Sequence, residues 1–160
     1  MDPATPQAVF GHFPYGLYAV TLAHGGNEHA MTANWVTQAS FQPPMVGVAV
    51  ENTSRTIGLM RDARHFVLNV FHDGQRELAA KLGRSSANTA QKLKGVKTRP
   101  APTWGGPILA DALGWLECRL VATLPAGDHT LVLGEVVGAG VEHADAHALT
   151  LQQSGLTYPG

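Results

Sequence analysis

The chain has 160 residues, 44% of them hydrophobic, with a formal net charge of -1; that is enough apolar surface for one core without metal or disulfide staples. A charge this close to neutral removes any general attraction to nucleic acid or an anionic membrane. The single cysteine, Cys118, excludes an internal disulfide framework, and its strand-like neighbours suit a thiol kept in a reducing cytoplasm.

The opening MDPATPQAVFGHFPYG lacks the positive start and unbroken apolar core of an export signal, and no run is long enough to span a bilayer, so a soluble, unexported chain is expected. Strand signals then dominate. GLYAVTLAH (16–24), EHAMTANWVTQASF (28–41) and MVGVAVEN (45–52) are rich in Val, Thr and Leu, and Gly25-Gly26-Asn27 joins the first two as a hairpin. Ser54 to Arg64 has helical spacing, with Ile57, Met60 and Arg61 one turn apart. HFVLNVF (65–71) is again strand-like, and Gly74 to Leu82 places Leu78, Ala79 and Leu82 on one helix face. Residues 83–106 are polar and turn-rich, which predicts a long connection with a brief helix near Asn88 to Leu93; such connections often line binding sites. ALGWLECRLVATL (112–124) and HTLVLGEVVGAGVE (129–142) complete the strands, linked by the turn Pro125-Ala126-Gly127-Asp128. The pattern predicts one domain over residues 1–160, mainly β, an antiparallel barrel with short helices packed outside.

Asn52-Thr53-Ser54-Arg55-Thr56 is the sharpest chemical feature, because it sets an amide, hydroxyls and a guanidinium at the start of a helix. Free N–H groups and the helix dipole favour an anion there, and Arg55 adds a charge-assisted bond. The alternative is a Ser54 cap with a solvated Arg55. Upstream, Thr32 and Asn34 alternate with Met31, Ala33 and Trp35, so an extended strand would offer hydrogen bonds on one face and apolar cover on the other. A flat ligand with a polar edge needs that arrangement, and ordinary half-buried alternation explains it too. Ser40-Phe41-Gln42-Pro43-Pro44 stops the strand, since proline lacks a backbone donor and restrains the residue before it.

The order of these pieces, Met31-Thr32-Ala33-Asn34, then Ser40-Phe41-Gln42-Pro43-Pro44, then Ser54-Arg55-Thr56, resembles the flavin reductase-like family of FMN-binding split barrels. The likeness continues through His65-Phe66-Val67-Leu68-Asn69-Val70, Gln75-Arg76-Glu77-Leu78-Ala79, Gly127-Asp128-His129 and Leu133-Gly134-Glu135-Val136. It implies an antiparallel split β-barrel, a homodimer whose subunits both shape the flavin site, and hydride transfer from NADH or NADPH to FMN or FAD. It implies Thr32, Ala33, Asn34 and Trp35 beside the flavin ring, with Ser40 and Gln42 near the ring or ribityl chain. Asn52, Ser54, Arg55 and Thr56 would surround the ribityl chain and phosphate, and His129 would stand as the catalytic residue where nicotinamide docks. A partner oxygenase or another acceptor would take the reduced flavin. The alternatives are an FMN electron carrier without turnover, a split barrel for another planar ligand, and an oxidase of the pyridoxamine-phosphate type.

Other features carry less. His143, Asp145 and His147 would share one side of an extended strand and so form a conceivable metal site, but the alanine-rich segment lacks tight Cys/His spacing, and no metal is expected. Lys92, Lys94, Lys97 and Arg99 beside Trp104 suggest a solvated loop or a reach toward a dinucleotide phosphate. The closing Thr157-Tyr158-Pro159-Gly160 leaves little room for a tail that shapes the nicotinamide side. Rossmann, Walker and nucleophile-elbow motifs are all missing.

Overall fold

A computed structural model describes residues 2, 4–85 and 91–158. Helix α1 (Pro6–Phe10) precedes β1 (Tyr18–His24), β2 (Asn27–Ala33), β3 (Val36–Ser40) and β4 (Met45–Glu51). Helix α2 (Arg55–Ala63), β5 (His65–Val70), α3 (Arg76–Leu82), β6 (Thr98–Pro100) and β7 (Pro107–Leu109) come next, and then the long β8 (Gly114–Ala126), β9 (His129–Val141) and α4 (Leu151–Ser154). The helix expected near Asn88 to Leu93 lies outside the described residues over 88–90, and turns occupy 91–95.

Seven strands form one antiparallel sheet in the order β2-β1-β5-β8-β9-β4-β3, and β6 pairs with β7 in a separate ribbon. The two outermost strands, β2 and β3, are consecutive in the chain and separated only by Asn34 and Trp35. Laid flat, the sheet would hold its edges about 29 Å apart, given strand spacings of about 4.8 Å. The link from Ala33 to Val36 can reach at most about 11 Å. The sheet must therefore roll until its edges meet, and because β2 and β3 do not pair, a seam stays open along the barrel. This is the antiparallel barrel with short peripheral helices that the residue pattern predicts, and the split barrel that the family resemblance implies. The single strand expected over residues 28–41 is two strands, because the chain has to cross the seam at Asn34 and Trp35.

Strand alternation decides what fills the barrel. Val20, Leu22, Phe66, Leu68, Val48 and Val132 point inward, and Ile57 and Met60 of α2 close one end of this core; each such side chain contributes about 1.5–3 kcal/mol by leaving water. Gly134 belongs to that interior for a steric reason, since a Cβ there would lie 2.6 Å from the Phe66 ring. Its neighbour Glu135 pairs with Arg119 across the strand at 2.5 Å. The Gly-Glu-Val signature thus packs and pairs the sheet. Cys118 is fully buried in the same core, where burial, then the nearby Glu117 charge, pushes its thiol up to about 12.

The outer wall is covered by α3 and by the β6-β7 ribbon, with Ala19, Phe71, Ala79, Leu82 and Leu109 packed together. Asn69, fully buried on this wall, donates to the Ala19 carbonyl (3.3 Å) and Thr21 Oγ1 (3.1 Å) and accepts from Leu109 N–H (2.9 Å). Thr21 in turn donates to the Pro107 carbonyl at 2.5 Å. Together these bonds clip β7 to the barrel. Glu117, also buried, accepts from the Thr103 and Trp104 N–H groups and fixes the turn that joins β6 to β7.

Candidate functional site at the barrel seam

A cleft of about 510 Å³ opens at the seam. Met31, Thr32, Ala33, Asn34 and Trp35 supply one wall, Ala49, Val50 and Glu51 at the end of β4 another, and Thr53, Ser54, Arg55 and Thr56 at the start of α2 a third; Gly83, Arg84, Ser85, Lys92 and Tyr158 complete the lining among the described residues. Polar and apolar residues share the first wall because the chain leaves the strand at Ala33. The strict alternation expected over residues 31–35 stops there, and Met31, Ala33 and Trp35 join Thr32 and Asn34 around the same space. Thr32 is tied back to the scaffold, its hydroxyl donating to the Ala79 carbonyl at 2.6 Å.

Asn34 differs from every other buried polar side chain described. Its Nδ2 is buried and has no hydrogen-bond partner among the described residues. An amide N–H left in that condition costs about 1–3 kcal/mol. Asn34 is also one of the residues that line the cleft.

The α2 end of the cleft is built to receive negative charge. Ser54 caps the nine-residue helix, its Oγ accepting from Thr56 N–H at 3.1 Å, and its hydroxyl lies 3.8 Å from the Met31 sulfur. The remaining first-turn N–H groups and the helix dipole favour an anion. Arg55 and Arg84 line the cleft, and neither is ion-paired among the described residues. Thr56 is buried, with its Oγ1 2.7 Å from His29 Nε2. Burial, then the positive charges of Lys92 and Arg55, holds the His29 ring down to about 4, so the ring is neutral near pH 7. Lys92 departs from the solvated basic loop expected for it. It is only 7% exposed and donates to the carbonyls of Leu82 (2.9 Å) and Ala30 (3.3 Å), and burial lowers its pKa.

Thr32, Ala33, Asn34, Trp35, Ser54, Arg55 and Thr56 are therefore brought together, while the other four expected site residues lie apart from the cleft lining. Asn52 stitches the β4–α2 turn to the β8–β9 hairpin, donating to the Gly127 carbonyl (3.1 Å) and accepting from Thr130 Oγ1 (2.7 Å). Ser40 ends β3, roughly 16 Å along the strand from Trp35, and Gln42 is exposed in the turn beyond it, ahead of a cis Gln42–Pro43 bond. His129 is only 7% exposed and stands behind Trp35, with ring centroids 4.4 Å apart. Its Nδ1 is 2.6 Å from the Asp128 carboxylate and its Nε2 2.9 Å from the Tyr158 hydroxyl. Tyr158 thus reaches this side of the cleft, where little room for a tail was expected. Glu51, Arg84 and Tyr158 carry no local signal that marks them in the sequence. The chain after α4 returns to the start of β9, and only that path delivers Tyr158.

His143 packs against His72 at 5.9 Å, and among the described residues no group of three or more His, Cys, Asp or Glu is placed to hold a metal ion. Among those residues no helix is long and apolar enough to cross a membrane.

The family model described as flavin reductase like domain matches residues 10–159. The reductase component of a 4-nitrophenol 4-monooxygenase/4-nitrocatechol 2-monooxygenase from Rhodococcus opacus is 36% identical over 139 residues, covering 87% of this chain and 72% of that protein. Diflavin flavoprotein A 1 of Synechocystis is 37% identical over 141 residues, covering 87% of this chain and 24% of that protein; against such relatives the chain spans about a quarter of their length. Among solved structures, the NADH:FAD oxidoreductase SgcE6 of Streptomyces globisporus, in complex with NAD and FAD fragments, superposes with a TM-score of 0.85 at 28% identity, covering 96% of this chain and 92% of that one. The open seam, the anion seat beside it and these matches together make the chain a member of the flavin reductase-like family.

Proposed function

We propose that the seam cleft binds FMN, with FAD as the other flavin it could accept, and that the chain reduces flavin with NADH or NADPH. The observation that carries this reading is the pairing, in one cleft, of an unpartnered buried amide at Asn34 with a cationic helix start at Arg55. FMN has a carbonyl-bearing ring edge at one end and a phosphate at the other, and the cleft volume lies in the usual range of about 300–1,000 Å³ for small-molecule sites. Asn34 would donate to the ring edge, Trp35 and Met31 would cover apolar ring surface, and the α2 N-terminus with Ser54, Arg55 and Thr56 would hold the phosphate, supported by Arg84. Bound flavin supplies the hydride-accepting centre. The protein supplies position, a nearly dry wall and charge. His129 would border the nicotinamide, held in orientation by Asp128, and Asn52 would fix the hairpin that carries both.

Ser40 and Gln42 fit this reading through a homodimer, in which they would approach the flavin of the partner. Their distance from the chain's own cleft supports it, as does Phe41 between them, 87% exposed. Relatives named as monooxygenase reductase components support an oxygenase as the consumer of reduced flavin. A second reading, an FMN electron-transfer unit, draws on the diflavin flavoproteins, in which the matching region is a quarter of a longer chain.

The deciding experiment mixes anaerobic, FMN-loaded protein with NADH and then NADPH. Rapid loss of the visible flavin band relative to free FMN establishes the reductase and names its donor. Persistent yellow colour moves the assignment to electron transfer, and failure to load FMN overturns the cofactor.

A further inference from the structure

We propose that Tyr158 is a gate on the nicotinamide side of the cleft, which must leave His129 and Trp35 before a nicotinamide ring can dock; this rests on the reductase reading above. The phenol holds two positions that a docking ring would need. Its hydroxyl is bonded to His129 Nε2 at 2.9 Å, and its ring stands edge-on to Trp35 at 5.1 Å and 87°. In a neutral imidazole whose Nδ1–H donates to Asp128, Nε2 is the acceptor for the phenol proton. No outward-facing nitrogen of His129 then remains for a substrate.

The hold on Tyr158 is light enough to release. The side chain is 39% exposed, and α4, its nearest helix, spans only Leu151–Ser154 before Gly155 turns the chain with φ +70°. Tyr158 is therefore held through its side chain, by a hydrogen bond to His129, a contact with Glu51 and edge-on ring contacts to Trp35 and His129, and by no strand or helix of its own. Burial, then the negative charges of Glu51 and Asp128 and a bond to Glu51, raises the phenol pKa, which keeps the hydroxyl protonated; its one proton serves either Glu51 or His129 Nε2, and in both cases Nε2 stays engaged by the phenol oxygen. A gate lowers apparent affinity by the fraction of molecules in which it is open, so removing it tightens binding by the inverse of that fraction.

The test compares the wild-type chain with Tyr158→Ala and Tyr158→Phe, using two readouts. Diethylpyrocarbonate acylates a free imidazole nitrogen, and peptide mass mapping resolves His129 from the other histidines. Its modification should accelerate about tenfold or more in Tyr158→Ala and by less in Tyr158→Phe, which keeps the ring and loses the bond. In steady-state assays, KM for the nicotinamide donor should fall about threefold or more in Tyr158→Ala. Equal labelling of His129 in wild type and Tyr158→Ala overturns the proposal. So does a raised KM, which would make Tyr158 part of the surface that binds nicotinamide. If neither wild type nor variant oxidises nicotinamide, the reductase reading falls and takes the nicotinamide gate with it, while the labelling still decides whether Tyr158 covers His129.

Discussion

Two buried asparagines, Asn69 on the outer wall and Asn34 at the seam, show how this fold separates support from function. Asn69 uses its amide and its carbonyl on three partners, Ala19, Thr21 and Leu109, and is sealed under β7. Asn34, almost as deeply buried, leaves its Nδ2 without a partner among the described residues, in a side chain that lines an open cleft. The residue type is the same in both places and burial is similar, so neither identifies the site. What identifies it is unmet hydrogen-bonding capacity, which a folded chain tolerates where something else is to bind.

The comparison predicts opposite outcomes for similar substitutions. Asn69→Ala should have the largest effect, strands Leu109 N–H in the core, and lower unfolding free energy by about 3 kcal/mol in a urea titration; an unchanged midpoint would remove the distinction. Arg55→Ala should leave stability nearly unchanged while weakening FMN by about thirtyfold, or ~2 kcal/mol, and riboflavin hardly at all, because only FMN carries the phosphate. Equal losses for the two ligands, measured by fluorescence titration, would remove the phosphate role. Asn34→Ala should reduce FMN affinity about tenfold, with apo stability unchanged or slightly improved, since it deletes an unpaired donor.

The smallest effect is a pH dependence at the seam. His29 takes up a proton near 6.5 when unfolded and only near 4 when folded. Between those values the unfolded chain binds more protons, so stability is complete above about pH 6.5 and is lost as pH falls toward 4. With the ring only partly shielded from water, the loss should be on the order of 1 kcal/mol. Denaturant titrations at the two ends of that window should show the slope in wild type and a flatter one in His29→Gln.

Much of the scaffold was readable because it rests on local rules. Period-two apolar runs and glycine turns place β1, β4, β5 and β9 within a residue or two, and Ser54-Arg55-Thr56 carries its own helix-start signature. The seam was not readable. Trp35 and Val36 favour strands as well as their neighbours do, and the break between β2 and β3 is imposed by closing the barrel, a constraint felt only once all seven strands assemble. β6 and β7 escaped notice because each has three residues, too few for a period to show. Lys92 looked solvated because a basic run usually is, and only the carbonyls of Ala30 and Leu82 make its burial tolerable. His129 stood out by its Gly-Asp-His setting, whereas its partner Tyr158, 29 residues further on, did not.

The contact between Ser54 and Met31 also bears on how this protein would age. Flavin chemistry in air generates peroxide, which attacks thiolates and exposed thioethers. Cys118 offers no thiolate, being sealed in the barrel with its pKa near 12. Met31 sits in the cleft wall with its sulfur beside the serine that caps α2. Oxidation at Met31 would replace a weak sulfur acceptor of the Ser54 hydroxyl proton with a stronger sulfoxide oxygen and put a bulkier, polar group into the cleft wall beside the α2 cap.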